Sequence, residues 1–245
     1  MKVVPPTPDA VRAAAGPDTV AVWVETVANP SGTVPDLPAL AEVAHAAGAP
    51  LMVDNTFGCA GFLCRPIEHG ADVVMHSATK WINGHGTAVA GALVDAGRFD
   101  WDAKRFPGFR ARDGHGRSYL DKGGRAAFHA RAFDLGLFTM GMTLSPFAAF
   151  LALQGLETLS LRARRSCDTA LAQARWLESV PGVERVVYPV NRPGFDGDSP
   201  STRKERMRRA DQVRPRDEGP GHPDVLRAAG GGAGGVYAGG VPAPA

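Results

Sequence analysis

Three residues about a third of the way along the chain, Ser77, Thr79 and Lys80, combine side chains that are suited to chemistry. They end an apolar run that is typical of a buried strand, and a loop punctuated by Gly84 and Gly86 follows. We expect a lysine at such a strand end to be partly desolvated, which favours the neutral amine that condenses with an aldehyde. On an extended backbone the two hydroxyls point the same way and can bind a phosphate. For these residues alone, an ordinary strand end with a solvated lysine is the preferred alternative.

An aspartate ends a second apolar run upstream. Residues 51–53 indicate a short buried strand, and Asp54 follows it, in the position where open α/β sheets bind ligands. Pyridoxal phosphate (PLP) offers an aldehyde to a lysine, and an aspartate keeps its pyridine nitrogen protonated so that the ring accepts electrons from a breaking C–H bond. By itself Asp54 would be a turn or helix-cap residue. Together with Lys80 at the end of a neighbouring strand, it favours a PLP site.

Predicted helices and strands alternate around these residues. Helices are expected at 8–15 and 66–69, and Asp36 can cap a helix that runs through Ala47 and stops at Gly48. Apolar and β-branched runs predict strands at 19–24, at 51–53, from Asp72 onward and at 88–94. This order predicts an α/β fold with a mainly parallel sheet.

The second half of the chain is predicted to be helical and then polar. Helical spacing covers 126–137 and 146–177, with breaks expected near Gly141 and Gly155, and 183–188 indicates a strand. We therefore divide the chain into a partial large domain at 1–143, linking helices with the start of a small domain at 144–190, and a tail at 191–245 that is disordered or loose coil.

Two clusters of arginine invite a binding role. Arg162, Arg164 and Arg165 lie on a predicted helix, where a charge run is usually a solvated face, so we assign them no function. The cluster at 203–209 resembles a nucleic-acid or membrane contact, but acids surround it and aromatic residues do not alternate with it. A solvated tail is the preferred interpretation.

The composition describes an ordinary soluble protein. The net charge is +2 over 245 residues, which implies neither nucleic acid nor an acidic membrane as a partner. The three cysteines form no CxxC pair and favour a reducing compartment. Because no apolar run approaches the roughly 18 residues of a membrane span and no signal peptide is evident, we expect the cytoplasm. We predict no metal site.

Several motifs in order carry a family resemblance. Between residues 22 and 94 they are VETVANPSGTVPDL, LMVDNTF, RPIEHGADVVMHSATKWINGHGT and AGALV, and residues 144–162 add LSPFAAFLALQGLETLSLR. The chain resembles the Cys/Met-metabolism family of PLP-dependent enzymes from about Val3 to Tyr188. Within that family it is most similar to the O-acetylhomoserine sulfhydrylases.

The resemblance implies a fold, a cofactor and a set of site residues. The fold would be the fold type I of PLP-dependent transferases, with a partial large domain, long linking helices and an incomplete C-terminal small domain. Lys80 would hold PLP, Asp54 would pair with its pyridine nitrogen, and Asn29 would face the ring hydroxyl and the substrate, with Glu25 nearby. The cofactor-binding set that the resemblance implies is Lys80, Asp54, Ser77, Thr79, Asn29 and Thr56.

The implied reaction is γ-replacement on O-acetyl-L-homoserine by sulfide, which gives homocysteine and acetate. The partners would be a small amino-acid substrate and further copies of the chain, as a homotetramer. A related γ-synthase or γ-lyase and a non-catalytic fragment of the fold are the alternatives. The family's glycine-containing phosphate loop, its ring-stacking tyrosine and its carboxylate-binding arginine have no match here, so we expect this chain alone to turn over little substrate.

Overall fold

The computed structural model describes residues 1–101, 104–188 and 212–215. Its main element is a four-stranded sheet in the order β1 to β4. The strands β1 (Val22–Glu25), β2 (Leu51–Asp54) and β3 (Val73–Ser77) are parallel, and β4 (Gly91–Asp95) runs antiparallel to β3. The mainly parallel sheet is confirmed, and the carboxyl ends of β1, β2 and β3 lie along one edge.

Two helices cover one face of this sheet. Helix α1 (Pro8–Ala14) begins at Thr7, and helix α2 (Leu37–Ala46) begins at Asp36, whose carboxylate accepts a hydrogen bond from the backbone N–H of Ala39 at 3.1 Å. The cap at Asp36 is the one that the sequence predicts. The core on this face consists of fully buried side chains, among them Leu37, Leu40, Leu51 and Val53.

An aromatic cluster covers the other face. Neighbouring residues of a strand point to opposite faces, so Val74 packs in the first core while Val73 packs against Trp101. The indole ring of Trp101 stacks on Phe109 with ring centroids 4.7 Å apart and on Phe128 at 5.4 Å. The part of the chain after β4 is therefore anchored on the sheet by aromatic packing.

The predicted helical regions are divided differently from expectation. Region 126–137 contains α4 (Ala127–Arg131) and most of the π-helix Ala132–Thr139, with a break at Gly141 as predicted. The break between α5 (Pro146–Glu157) and α6 (Leu159–Leu177) falls at Thr158, and Gly155, near which the break was predicted, lies inside α5. The helices beyond the sheet are α3 (Tyr119–Gly123), α4 (Ala127–Arg131), the π-helix Ala132–Thr139, α5 (Pro146–Glu157) and α6 (Leu159–Leu177), and the 3₁₀ helices are Cys59–Gly61, Pro66–His69, Pro107–Phe109 and Gly124–Ala126.

A second, two-stranded sheet follows α6. Strand β5 (Val183–Val187) pairs antiparallel with β6 (Gln212–Pro215). Contrary to the coil predicted for 191–245, these four residues of the tail form a strand. The rest of that region, including the basic cluster at 203–209, lies outside the described residues.

The described ranges contain neither a membrane-spanning helix nor a cluster of metal ligands. No helix in them combines the length and the apolar character needed to cross a bilayer. Nor do three or more of their His, Cys, Asp and Glu side chains cluster as ligands for a metal ion.

Candidate functional site

The predicted site residues follow three adjacent strand ends. Glu25 at the end of β1 is in register with Asp54 at the end of β2, and Asp54 is in register with Met75 of β3. Ser77 ends β3 two residues later, and Lys80 lies in the turn that follows. The structure thus brings the carboxylate and the amine to the same edge of the sheet, where parallel α/β sheets bind ligands.

The Asp54 side chain is held by its own turn. One carboxylate oxygen, Oδ1, accepts a hydrogen bond from the backbone N–H of Thr56 at 2.9 Å, and the Asp54 carbonyl accepts one from the N–H of Thr26 at 2.9 Å. This is the turn role that the sequence allowed for Asp54. The turn uses only one of the two carboxylate oxygens, so the half-buried Asp54 side chain can also accept a hydrogen bond from a ligand.

A buried polar pair beneath Asp54 was missed in the sequence. The Thr26 hydroxyl donates to Asn55 Oδ1 at 2.5 Å, and Asn55 Nδ2 donates to the Cys64 carbonyl at 2.9 Å. A Cβ on Gly58 would lie 1.9 Å from Asn55 Oδ1, so the neighbouring loop packs directly on this amide. The signal in the sequence was an asparagine directly after a buried strand with a glycine three residues later.

The hydroxyl groups near Lys80 are arranged differently from the prediction. The backbone N–H of Ser77 donates to Thr56 Oγ1 at 2.9 Å, which connects the turn after β2 to the end of β3. Thr79 Oγ1 donates to the Ala90 carbonyl at 3.1 Å and accepts from the Ala90 N–H at 2.9 Å. The inference that Ser77 and Thr79 share an extended backbone is wrong, since the strand ends at Ser77 and the hydroxyl proton of Thr79 is bound to Ala90.

Lys80 is exposed, so the prediction that it is partly desolvated is wrong. Its backbone N–H donates to the Ser77 carbonyl at 3.2 Å, and its own carbonyl accepts from the Gly84 N–H at 2.7 Å. Gly84 and Gly86 have φ angles of +75° and +66°, in the left-handed region that glycine adopts without strain. The turn therefore fixes the main chain of Lys80 and leaves its side chain accessible.

His76 lies directly before the site and is nearly buried. Burial lowers the pKa of His76, although a hydrogen bond with the Asn55 backbone and the charge of Asp54 act to raise it. Nδ1 of His76 has no hydrogen-bond partner within the described residues. The neutral form of the His76 imidazole is therefore favoured.

Asn29 lies in the loop after β1 at the same edge. It is exposed, and its backbone N–H donates to Glu25 Oε2 at 2.8 Å. Its side chain is therefore accessible, as the predicted role requires, while its main chain is anchored to β1.

Arg162 is not the solvated residue that the sequence suggested. Its Nη2 donates to the carbonyls of Trp81 at 2.9 Å and Gly155 at 2.7 Å. Burial lowers its pKa, and the nearby Cys59 acts in the opposite direction. Arg164 and Arg165 are exposed, as predicted.

The donor set at this edge fits PLP chemically. The accessible primary amine suits the aldehyde of PLP, and the carboxylate anchored by its turn suits the protonated ring nitrogen. The hydroxyl groups of two neighbouring turns suit the phosphate. The residues are Lys80, Asp54, Ser77 and Thr56. Thr79 fits less directly because Ala90 already binds its hydroxyl.

Comparison with known sequences identifies the family. Residues 1–204 match the sequence model of the Cys/Met metabolism PLP-dependent enzymes. The chain belongs to this family. The membership confirms the predicted family and its cofactor, PLP.

Two relatives are named as a homocysteine synthase and an O-acetyl-L-homoserine sulfhydrylase. The chain is 50% identical over 186 residues to the homocysteine synthase of Schizosaccharomyces pombe, which covers 74% of this chain and 43% of that protein. It is 46% identical over 173 residues to O-acetyl-L-homoserine sulfhydrylase 1 of Thermus thermophilus, covering 70% of this chain and 41% of that one. The chain thus spans less than half the length of these curated relatives.

A crystal structure supports the same fold. The O-acetylhomoserine (thiol)-lyase of Campylobacter jejuni, which contains a pyridoxyl-lysine phosphate, superposes with a TM-score of 0.67 at 30% identity. The match covers 74% of this chain and 45% of that chain. The predicted α/β fold of PLP-dependent enzymes, as a partial chain, is confirmed.

Proposed function

We propose that the protein is a PLP-dependent sulfhydrylase that replaces the acetate of O-acetyl-L-homoserine with sulfide. The observation that carries the proposal is the placement of Lys80 and Asp54 after adjacent parallel strands, in a chain that belongs to a PLP-dependent family. The activities named for the yeast and Thermus relatives support the choice of reaction.

The residues of the sheet edge would hold the cofactor. Lys80 would bind it covalently through its accessible amine, and Asp54 would pair with the ring nitrogen through the carboxylate oxygen that its turn leaves available. The hydroxyls of Ser77 and Thr56 are candidates for the phosphate, and Thr79 joins them if its bond to Ala90 is exchanged. PLP supplies an acceptor for the electrons that a breaking substrate C–H bond releases.

Lys80 would also be the base of the proposed reaction, because its amine is free again once the substrate amine has taken its place on the cofactor. Its side chain is exposed on a fixed main-chain turn, so its amine can remove the Cα proton of the substrate and then move protons at Cβ. Acetate leaves Cγ with the electron pair of the C–O bond, and sulfide forms the new C–S bond. Asn29, accessible beside Glu25, would contact the substrate.

Three alternative functions are less well supported than the sulfhydrylase. A γ-synthase, a γ-lyase and a non-catalytic PLP-binding fragment would use the same Lys80 and Asp54. The relatives at 46% identity and above, named as homocysteine synthases and sulfhydrylases, favour sulfide as the nucleophile.

Association of identical chains is part of the proposal. Helix α5 exposes Phe147, Phe150 and Leu153, of which 70%, 54% and 60% of the surface is accessible. Their spacing places them along one stripe of the helix. Such a stripe supports an interface between copies of the chain, and light scattering of the purified protein tests it: a monomer at all concentrations contradicts association.

The cytoplasm is the proposed compartment. Cys59, Cys64 and Cys167 are buried thiols outside any disulfide, which supports a reducing environment. Fractionation of cells that produce the protein tests this, and recovery in a secreted or membrane fraction contradicts it.

Trapping of the cofactor tests the central assignment. We expect PLP added to the purified chain, followed by borohydride, to label Lys80, and Lys80→Arg to abolish the label with little effect on stability because the side chain is exposed. Lys104→Arg, also exposed, is the matched control. Labelling of Lys104 or Lys122 in place of Lys80 contradicts the assignment. Homocysteine formation from O-acetyl-L-homoserine and sulfide is the activity readout, and we expect this chain alone to give little turnover even where it binds PLP.

A further inference from the structure

A contact from a distant helix reaches the turn that carries Lys80. Arg162 lies in the first two turns of α6, eighty-odd residues further along the chain, yet its Nη2 donates to the Trp81 carbonyl at 2.9 Å. Trp81 is the residue directly after Lys80. The guanidinium is thus one peptide unit from the reactive lysine.

The same guanidinium is anchored at the α5–α6 junction. Nη2 of Arg162 also donates to the carbonyl of Gly155, in the last turn of α5, at 2.7 Å, and Nε donates to Thr158 Oγ1 at 3.0 Å. A planar guanidinium with several fixed donors is suited to bridging such acceptors, which the single ammonium of a lysine cannot reproduce. Within the described residues no carboxylate forms an ion pair with Arg162, so its donors serve main-chain and hydroxyl oxygens.

Two glycines lie where the Lys80 turn approaches Arg162 and helix α5 closely. A Cβ on Gly84 would lie 2.4 Å from Cζ of Arg162, and a Cβ on Gly155 would lie 2.2 Å from the Asn83 carbonyl oxygen. A side chain at Gly155 would therefore collide with the backbone of the Lys80 turn, and one at Gly84 would displace the guanidinium. Nearby, Ile82 packs against the cluster that Leu159 and Ala163 of α6 form with Cys59.

Hydrogen bonds within the turn connect the residues that Arg162 contacts to Lys80. The Gly84 N–H donates to the Lys80 carbonyl at 2.7 Å, and the Asn83 N–H donates to the Ala78 carbonyl at 2.8 Å. Gly84 packs on the guanidinium and Trp81 accepts a hydrogen bond from it, so both sides of the turn are fixed relative to α6.

We propose that Arg162 is a positioning residue for Lys80: it fixes the turn from Lys80 to Gly84 against the α5–α6 junction, and so sets where the lysine amine stands at the sheet edge. Arg162 itself contacts neither cofactor nor substrate in this role. The consequence for Lys80 chemistry rests on the proposed function, whereas the fixation of the turn does not. An exposed amine on an unfixed turn would spend less time in the geometry that a covalent bond requires.

The test compares Arg162→Met and Arg162→Lys with Arg164→Met, an exposed arginine on the same helix. In the protein without PLP, amide hydrogen exchange is measured in a peptide spanning residues 78–86. In the protein with PLP, the rate of borohydride-trapped labelling at Lys80 and the pH midpoint of the visible absorbance are measured. Arg162→Gln, which keeps a polar side chain but cannot bridge all three acceptors, serves as a second variant if Arg162→Met fails to fold.

We expect Arg162→Met to accelerate exchange in that peptide by at least about tenfold, the effect of losing a hydrogen bond from a charged group. In Arg162→Met the labelling of Lys80 should be slower and the pH midpoint of the visible absorbance should shift. Arg162→Lys should lie between Arg162→Met and the parent, and Arg164→Met should behave like the parent. Faster exchange with an unchanged labelling rate and midpoint overturns the positioning role and leaves a structural one. Unchanged exchange overturns the fixation itself. If the parent labels no Lys80, the proposed function fails, and exchange alone decides whether Arg162 fixes the turn.

Discussion

The backbone N–H of Ser77 donates a hydrogen bond to the hydroxyl of Thr56 at 2.9 Å, across the carboxyl ends of two neighbouring strands. Thr56 in turn donates its own N–H to the carboxylate of Asp54. One threonine therefore links the strand end that carries the aspartate to the strand end that leads to Lys80. The relative position of the two charged groups depends on this link.

Replacement of Thr56 tests the link. Thr56→Val keeps the shape of the side chain and removes the acceptor, so we expect a loss of about 1–3 kcal/mol in the free energy of unfolding, because the part-buried Ser77 N–H is left without its partner. Urea unfolding measures this. Thr56→Ser, which retains the hydroxyl, should lie near the parent, and equal stability of the two variants would contradict the role.

Asp54→Asn tests the ring-nitrogen contact. We expect the variant still to bind PLP at Lys80, but to exchange the substrate Cα proton with solvent several orders of magnitude more slowly, because a neutral amide does not keep the pyridine nitrogen protonated. Proton NMR of an amino-acid substrate in deuterated water measures the exchange. If Asp54→Asn and the parent exchange equally fast, Asp54 is only a turn residue.

Gly155→Ala separates helix propensity from close packing. In an exposed helix the change would stabilise by roughly 1 kcal/mol, but here the new Cβ would lie 2.2 Å from the Asn83 carbonyl and 2.3 Å from that of Ile82. We expect a net destabilisation of about 1–3 kcal/mol from overpacking against the backbone. Thermal unfolding gives the sign. Gly114→Ala, with open space around its Cβ, is the matched control and should have little effect.

His76 predicts a dependence of stability on pH. Burial lowers the pKa of His76 from its ordinary value of 6.5. Below pH 6.5 the unfolded chain therefore binds a proton that the folded chain resists, so stability should fall as the pH decreases from 6.5 through the folded-state pKa. Tm measured between pH 8 and 5 should decline less in His76→Gln than in the parent. His115→Gln, at an exposed site, should decline like the parent.

Much of the fold follows from local sequence. Asp36 caps α2 because a short acidic side chain precedes an apolar helical stripe, and the buried strands end where polar residues begin. The break between α5 and α6 could not be located in this way. Position 155 requires a glycine because two carbonyls from a distant loop approach it closely. Local sequence rules interpret such a glycine as the end of a helix.

The candidate site was predictable in its residue types and less so in its contacts. Asp54 and Lys80 could be found because strand order places them at one edge. The exposure of Lys80, the bond between Thr79 and Ala90, and the contact of Arg162 with Trp81 depend on how the chain turns after Ser77. Those contacts join residues that are far apart in the sequence, and no local pattern specifies them.

The antiparallel direction of β4 has a consequence for how the chain folds. Because β4 returns directly beside β3, only residues 78–90 separate the paired ends Ser77 and Gly91, whereas residues 26–50 separate β1 from β2. The entropy lost on closing a loop grows with its length, by about 0.6 kcal/mol for each doubling. The connection that carries Lys80 is thus the least costly to close in this sheet, and the hairpin that contains it can form before the parallel strands pair.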